Sequence, residues 1–219
     1  MSAPCFARFH PIDLGGALSL RYAILGYLTS APGTGYDLAQ QFDTGLGWFW
    51  GALHSQIYPE LRRLTEEQLV ERTPETVGQN LSKFTYSITD KGREELMKWT
   101  SKPPTYPPNR DSERLQLIFS DEAPESLRAH FEGHMSHFEK RRKMLTETLA
   151  LMQAGQHERI NLRVAKRSPE DAEITLKLRD LAYTGDIARA DLEIEWAKRG
   201  LAWLDSRKAS AETTEEKPS

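Results

Sequence analysis

A mainly α-helical chain with one small β-hairpin, divided in two by a proline-rich linker, is the fold class this sequence predicts. Three observations carry that prediction. Apolar residues recur at helical spacing through most of the 219 residues. One stretch around residue 84 switches to a period of two. The segment SKPPTYPPNR, 101–110, carries four prolines, each refusing a helical hydrogen bond, and separates a first domain, 17–100, from a second, 111–206. An N-terminal arm, 1–16, and a polar tail, 207–219, expected to be disordered, complete the division.

In the first domain, LSLRYAILGYLTSAP places Leu18, Tyr22, Leu25 and Leu28 at helical spacing, stopped by Pro32. Thr34 precedes Asp37 by three, the pattern of a capping box, and starts a second helix, YDLAQQF, with Leu38 and Phe42 as its buried stripe. GLGWF follows as a loop. In HSQIYPELRRL, 54–64, Ile57, Leu61 and Leu64 fall with Leu53 within about 80° of one another and face a core. Ser55, Pro59 and Arg62 point the opposite way, flanked by Tyr58 on one side and by Gln56 and Arg63 on the other. With Ser55 as the N-cap, Pro59 sits where its missing amide costs one bond at a fraying end. Phe84, Tyr86 and Ile88 then alternate with Lys83, Thr85 and Ser87, and Gly78, Gln79 and Asn80 turn the chain from a strand near Val70–Thr73. Thr89 begins a fourth helix, DKGREELMKW. Three helices, a hairpin and a helix in this order outline a winged helix-turn-helix, so the expected architecture is an N-terminal winged helix-turn-helix followed by long C-terminal helices.

The second domain reads as two long helices. One ends at Gly155 and carries Leu127, Phe131, Met135, Phe138, Leu145, Leu149 and Met152; the other starts at Ser168–Pro169, a cap and an N1 proline, and runs to about Ser206. Its stripe is Ile174, Leu178, Leu181, Ala188, Leu192, Trp196 and Trp203. The two stripes can cover each other within one chain. With so little else in the domain, part of this surface is expected to bury against a second copy, which makes Phe131, Met135, Phe138, Leu145, Leu181, Leu192 and Trp196 the expected dimerisation residues.

Composition bounds the function. A net charge of −3 does not announce a nucleic-acid binder, so any such reading rests on where particular groups sit. The single cysteine, Cys5, has no partner for an intramolecular disulfide, and a reducing cytoplasm is the expected compartment. The opening MSAPCFARFHPIDLGG lacks the pattern of a signal peptide, and no apolar run reaches the roughly 18 residues of a membrane span. His130, His134 and His137 share one helical face, but HFEGH is not HExxH, its glutamate standing one position late; an interface role is expected and no metal. Cys5 and His10 are neighbours on the arm without a third catalytic partner, and no phosphate-cradling glycine loop is present. No catalytic site and no cofactor are expected.

GYDLAQQF, HSQIYPELRRLTEEQLVE and FTYSITDKGREELMKW resemble, in order and mutual spacing, the PadR-like transcriptional regulators; the match covers about 18–100 and extends more weakly over RLQLIF and the long helices. Two positions depart from the family pattern. Gln68 stands where the turn after the third helix usually has glycine, and the wing segment TVGQNLSKF has Lys83 as its one charge. The resemblance implies, and helix geometry permits, that residues 55–63 enter a DNA major groove about 12 Å wide. Gln56 suits adenine, Ser55 either class of base edge, Arg62 a guanine or a phosphate, and Tyr58 a phosphate or a thymine methyl. Arg63, Lys83 in the wing and Tyr36 at the start of the second helix complete the expected DNA contacts. Each has a plainer role beside it: Ser55 as a cap, Arg62 and Arg63 as partners of Glu66 and Glu67, Tyr58 as packing on the neighbouring helix, Lys83 as an exposed strand residue.

Trp48, Trp50 and Trp99 suit either packing or a small aromatic effector, such as some relatives bind. The function so implied is a transcriptional regulator, a repressor in the first instance, acting as a homodimer on a palindromic operator in double-stranded DNA. The alternatives are a ligand-responsive sensor and a protein-interaction module that keeps the winged fold without binding DNA strongly.

Overall fold

The computed structural model describes residues 14–44, 54–77, 81–104 and 111–215. The arm to residue 13, the GLGWF loop, the 78–80 turn and 105–110 lie outside the described residues, and with them Cys5, His10, Trp48, Trp50 and Leu53. Two compact units, Met1–Pro107 and Pro108–Ser219, divide the chain. No helix among the described residues is long and apolar enough to cross a membrane.

The first unit holds α1 (Leu14–Leu28), β1 (Gly33–Thr34), α2 (Gly35–Thr44), α3 (His54–Glu66), β2 (Val70–Val77), β3 (Leu81–Ile88) and α4 (Asp90–Thr100). Helix α1 is its centre: beyond the expected Leu25 and Leu28 it also buries Leu20, Ile24 and Tyr27, so little of its circumference from Leu20 onward reaches solvent. Leu38 and Ala39 of α2, Ile57, Leu61 and Leu64 of α3, and Leu69, Val70 and Tyr86 complete the core. The sheet is antiparallel with order β1-β3-β2. Strand β1, unforeseen because two residues carry no period, pairs Gly33 with Tyr86 and Thr34 with Thr85. The wing pairs Val70 with Ile88 through to Val77 with Leu81.

Local chemistry fixes the helix ends. The Thr34 hydroxyl accepts from the Asp37 amide at 3.1 Å while the Asp37 carboxylate accepts from the Thr34 amide at 2.9 Å, the reciprocal capping box. Helix α3 ends in a Schellman turn: Leu69 N–H donates to Leu64 C=O at 2.9 Å and Gln68 N–H to Thr65 C=O at 3.0 Å. Gln68 takes the left-handed position with φ 62°, so the turn normally built on glycine survives without one. Helix α4 seats directly on it. Thr89 Oγ1 accepts from Gly92 N–H at 3.0 Å and donates to Gln68 C=O at 2.8 Å. A Cβ on Gly92 would lie 2.1 Å from the Leu69 carbonyl oxygen, so only glycine fits there.

The second unit holds α5 (Ser112–Ile118), two single 3₁₀ turns, α6 (Leu127–Gln153), α7 (Glu158–Val164) and α8 (Pro169–Glu215). Helix α6 closes on Gly155 in a second Schellman turn, and Ser168 caps α8 by accepting from the Asp171 amide at 3.2 Å. The ion pairs Arg128–Asp205 and Arg141–Asp186, with the hydrogen bond Gln153–Asp180, set α6 and α8 antiparallel. Between them lie Phe131, Leu145, Ala190, Ile194 and Ala197, while Leu149 and Met152 meet Ile160 of α7.

Three expectations are corrected here. Phe131 and Leu145 are buried inside their own chain, and Met135, Phe138 and Trp196 are half-buried, so Phe131 and Leu145 are not surface offered to a second copy. The inner face of α8 is Thr175, Asp186, Ala190, Ile194 and Ala197; of the expected stripe, Ile174, Leu178, Leu181, Leu192 and Trp203 are exposed. Close helix approach selects small side chains and paired charges rather than the largest apolar ones. The tail expected to be disordered continues α8 as far as Glu215, because Lys, Ala and Glu propagate an existing helix without a nucleation cost.

Candidate nucleic-acid interface

Helix α3 divides its circumference cleanly. Ile57, Leu61 and Leu64 have 0% exposure, whereas Ser55, Gln56, Tyr58, Pro59, Arg62 and Arg63 are exposed. One correction concerns its start. The helix already includes His54, so Ser55 is a first-turn residue and not the N-cap. Pro59 therefore stands inside the helix, where it offers no amide hydrogen to the Ser55 carbonyl.

Tyr58 packs on the neighbouring helix without being covered by it. Its ring lies against Gly35 at the start of α2, where a Cβ would come within 2.5 Å of it, yet half of the residue remains exposed. Tyr36, beside it, is more exposed still, so α2 and α3 together present two tyrosines, Ser55, Gln56 and Arg62. Lys83 is exposed on β3. Arg72 on β2, which periodicity did not single out, is exposed and stacks its guanidinium 3.5 Å above the Phe84 ring. The wing thus has a second cation held in one orientation.

The charges of α3 are partnered differently from the simple i,i+4 expectation. Glu60 is buried, with Oε1 accepting from Arg21 Nε at 3.2 Å and Oε2 from Arg63 Nη1 at 3.4 Å. Arg21 of α1 also donates to Glu67. The Glu67 hydrogen bond, with Glu60 adding to it and burial opposing, holds the Arg21 guanidinium above its ordinary range. A signal for this network existed: Glu60 falls on the edge of the apolar arc of α3, where an acid needs a buried partner.

Within the first unit, Tyr22 of α1 stacks on Trp99 of α4 at 4.6 Å and 10°, and its hydroxyl donates to Glu95 at 3.0 Å. The Trp99 indole stays partly exposed. The histidine face of α6 is aromatic in its contacts. His134 is buried with Nε2 3.1 Å from Glu193 Oε2 and its ring 4.9 Å from Trp196; His130 meets Phe131 edge-on and His137 meets Phe138. Among the described residues no group of three or more potential ligands is placed to hold a metal ion.

Residues 24–98 match the profile of the Transcriptional regulator PadR-like family. Over 80 residues the chain is 46% identical to the negative transcriptional regulator PadR of Bacillus subtilis, covering 36% of this chain and 44% of that protein. Over 92 residues it is 39% identical to a probable transcriptional regulator of Mycobacterium tuberculosis, covering 41% and 49%. These alignments span about half the length of those relatives. The crystal structure of Bacillus subtilis PadR in complex with operator DNA superposes with a TM-score of 0.65 at 26% identity, over 89% of this chain and 99% of that one. The same protein in complex with p-coumaric acid gives 0.57 at 27% identity, over 86% and 97%. The winged-helix domain of this chain is thus similar, over residues 24–98, to the PadR-like transcriptional regulators.

Proposed function

We propose that this protein is a sequence-specific DNA-binding transcriptional regulator, in the first instance a repressor, acting as a homodimer on an inverted repeat. The observation that carries it is the division of α3, with Ser55, Gln56, Tyr58 and Arg62 outside and Ile57, Leu61 and Leu64 fully inside. A major groove accepts one helix so presented; Gln56 pairs with adenine N6 and N7, Ser55 with a neighbouring edge, and Arg62 with guanine or phosphate. Tyr36, Tyr58 and Lys83 hold the backbone and set the register. The Bacillus subtilis relative, crystallised with operator DNA and named a negative regulator, supports the same use here. Repression follows from occupying a promoter and requires no catalytic group, and a cytoplasmic location goes with it.

One recognition helix reads too few base pairs to select a site in a genome, whereas two related by a two-fold axis read a palindrome. The exposed Leu178, Leu181 and Leu192 of α8 supply the apolar surface for a second copy. Sedimentation of the wild type and of a Leu178→Gln/Leu181→Gln/Leu192→Gln variant at micromolar concentration tests this: a dimer is expected for the first and a monomer for the second.

The decisive experiment is selection of bound sequences from random DNA, repeated with Gln56→Ala. The wild type should enrich an inverted repeat, and the variant should lose preference at one position in each half-site by about 1–3 kcal/mol. Failure to enrich any sequence, with binding insensitive to salt, would leave the winged domain as a protein-interaction module. A small planar aromatic effector is the second element of the proposal, supported by the exposed Trp99 stacked on Tyr22 and by the relative's complex with p-coumaric acid. Quenching of tryptophan fluorescence by such acids, diminished in Trp99→Phe, would support it.

A further inference from the structure

We propose that Glu60 is a positioning residue that withholds Arg63 from DNA and thereby limits sequence-independent binding; this rests on the DNA-binding reading above. Arg62 and Arg63 are adjacent, exposed and cationic, and both stand among the DNA contacts expected from sequence. The structure makes them unequal. Arg63 donates to Oε2 of a carboxylate that is itself 4% exposed, while Oε1 of the same carboxylate is held by Arg21 Nε. Arg21 in turn is tied to Glu67. Two guanidinium groups and two carboxylates therefore close a neutral set joining α1 to α3.

A buried carboxylate shared in this way is fixed in direction. It is buried on the α1 side of the recognition helix, where Arg21 of α1 meets it. Glu60 engages Arg63 Nη1, so turning the whole guanidinium fork toward a phosphate would draw Arg63 from that partner and leave a buried acid with one cation instead of two. The charge that α3 offers to a phosphate backbone is thereby that of Arg62. This matters because phosphate neutralisation is the sequence-independent part of DNA affinity, whereas Gln56 and Ser55 supply the part that depends on sequence. A helix with fewer available cations discriminates better between its operator and the rest of a genome.

The test measures binding of the full chain to the duplex enriched by selection and to an unrelated duplex of equal length, across a range of salt. Wild type, Glu60→Gln, Arg62→Gln, Arg63→Gln and the Glu60→Gln/Arg63→Gln double variant are compared. Glutamine keeps the size of Glu60 and an acceptor for Arg21 but removes the charge that holds Arg63. Glu60→Gln is expected to steepen the log–log salt slope on unrelated DNA by about 0.9 per protomer, with an affinity gain of up to roughly tenfold near 0.1 M salt, so that the preference for the selected duplex falls. Adding Arg63→Gln should cancel both effects. Arg63→Gln alone should leave the wild-type slope unchanged, while Arg62→Gln lowers it by about 0.9.

A purely structural role for Glu60 would weaken binding to both duplexes without altering either slope, and that result overturns the proposal. So does an Arg63→Gln slope as low as that of Arg62→Gln, which remains readable even if Glu60→Gln does not fold. Wild-type protein that binds neither duplex overturns this inference together with the reading it rests on, and is distinguishable from the other outcomes because no variant is needed to see it.

Discussion

Gln68 offers a direct test of how α3 is held. It takes φ 62° at the left-handed position of the turn between α3 and β2, and its side chain is exposed. A non-glycine residue there carries a steric cost of about 1–2 kcal/mol. Glycine removes that cost but loses about 0.5–1 kcal/mol more in conformational freedom on folding. No packing is given up, and the bonds that define the turn use the backbone: Gln68 N–H to Thr65 C=O, Leu69 N–H to Leu64 C=O, and Thr89 Oγ1 to Gln68 C=O. Gln68→Gly is therefore expected to stabilise the protein by about 0.5–1 kcal/mol, or about 1–4 °C in calorimetry of the full chain. Gln68→Val should move the other way by at least as much, since a β-branched residue tolerates this backbone poorly. Equal melting temperatures for glycine, glutamine and valine would refute the reasoning, for they would mean that residue 68 is not in the left-handed region.

Three further outcomes are expected. Gly92→Ala puts a methyl group 2.1 Å from the Leu69 carbonyl oxygen and should cost about 2–3 kcal/mol in urea unfolding, because backbone lies on both sides of the clash. Arg141→Ala leaves the buried Asp186 with only the exposed Arg189 at 3.9 Å and should destabilise the second unit by about 3 kcal/mol, with Asp186→Asn in the same background recovering part of the loss. Burial, with Arg179 and Arg159 adding to it, holds the His157 imidazole below its ordinary value. A ring more acidic when folded binds its proton more readily when unfolded, so stability should fall as pH drops below the unfolded value of about 6.5 and level off below the folded one. Nuclear magnetic resonance titration of the His157 ring should show the low midpoint, and His157→Asn should flatten that part of the stability profile.

What was legible in the sequence was local or periodic. The capping box of Thr34 and Asp37 spans three residues, and its two hydrogen bonds form as the pattern requires. The orientation of α3 followed from the spacing of Ile57, Leu61 and Leu64, all fully buried. Glu60 was not legible in the same way, since its meaning depends on Arg21, 39 positions earlier in the chain. The two residues of β1 and the short α7 carry too few repeats to establish a period. Helix α8 shows a different failure. Its large apolar side chains do fall on one face, but the face packed on α6 is the one with Ala190, Ala197, Thr175 and Asp186. Hydrophobicity ranks faces by their transfer energy, while close packing of two long helices ranks them by size and charge match.

That failure bears on function. His134 opposes Glu193 and Arg141 opposes Asp186, each pair one heptad from the other along both helices. Apolar residues alone would tolerate a slip of α8 along α6 by one heptad, since Ala190 and Ala197 of α8 and Phe131, Phe138, Leu145 and Met152 of α6 recur at that interval. The charges do not. After such a slip Arg141 would meet Glu193, but Asp186 would stand buried against the Thr148 position with no cation from α6, and His134 would face the Gly200 position. Buried ion pairs add little net stability compared with apolar residues of the same shape, but an unmatched one costs several kcal/mol, which makes them suited to fixing register. One heptad is about 10 Å along a helix, whereas neighbouring base pairs are about 3.4 Å apart. A dimer that reads an inverted repeat must hold its two recognition helices at a spacing reproducible to within a base pair. Within each copy of the proposed homodimer, then, the polar rungs between α6 and α8 would fix a register that apolar contact alone leaves open, and the outward leucines of α8, proposed as the contact between copies, would not have to fix it as well.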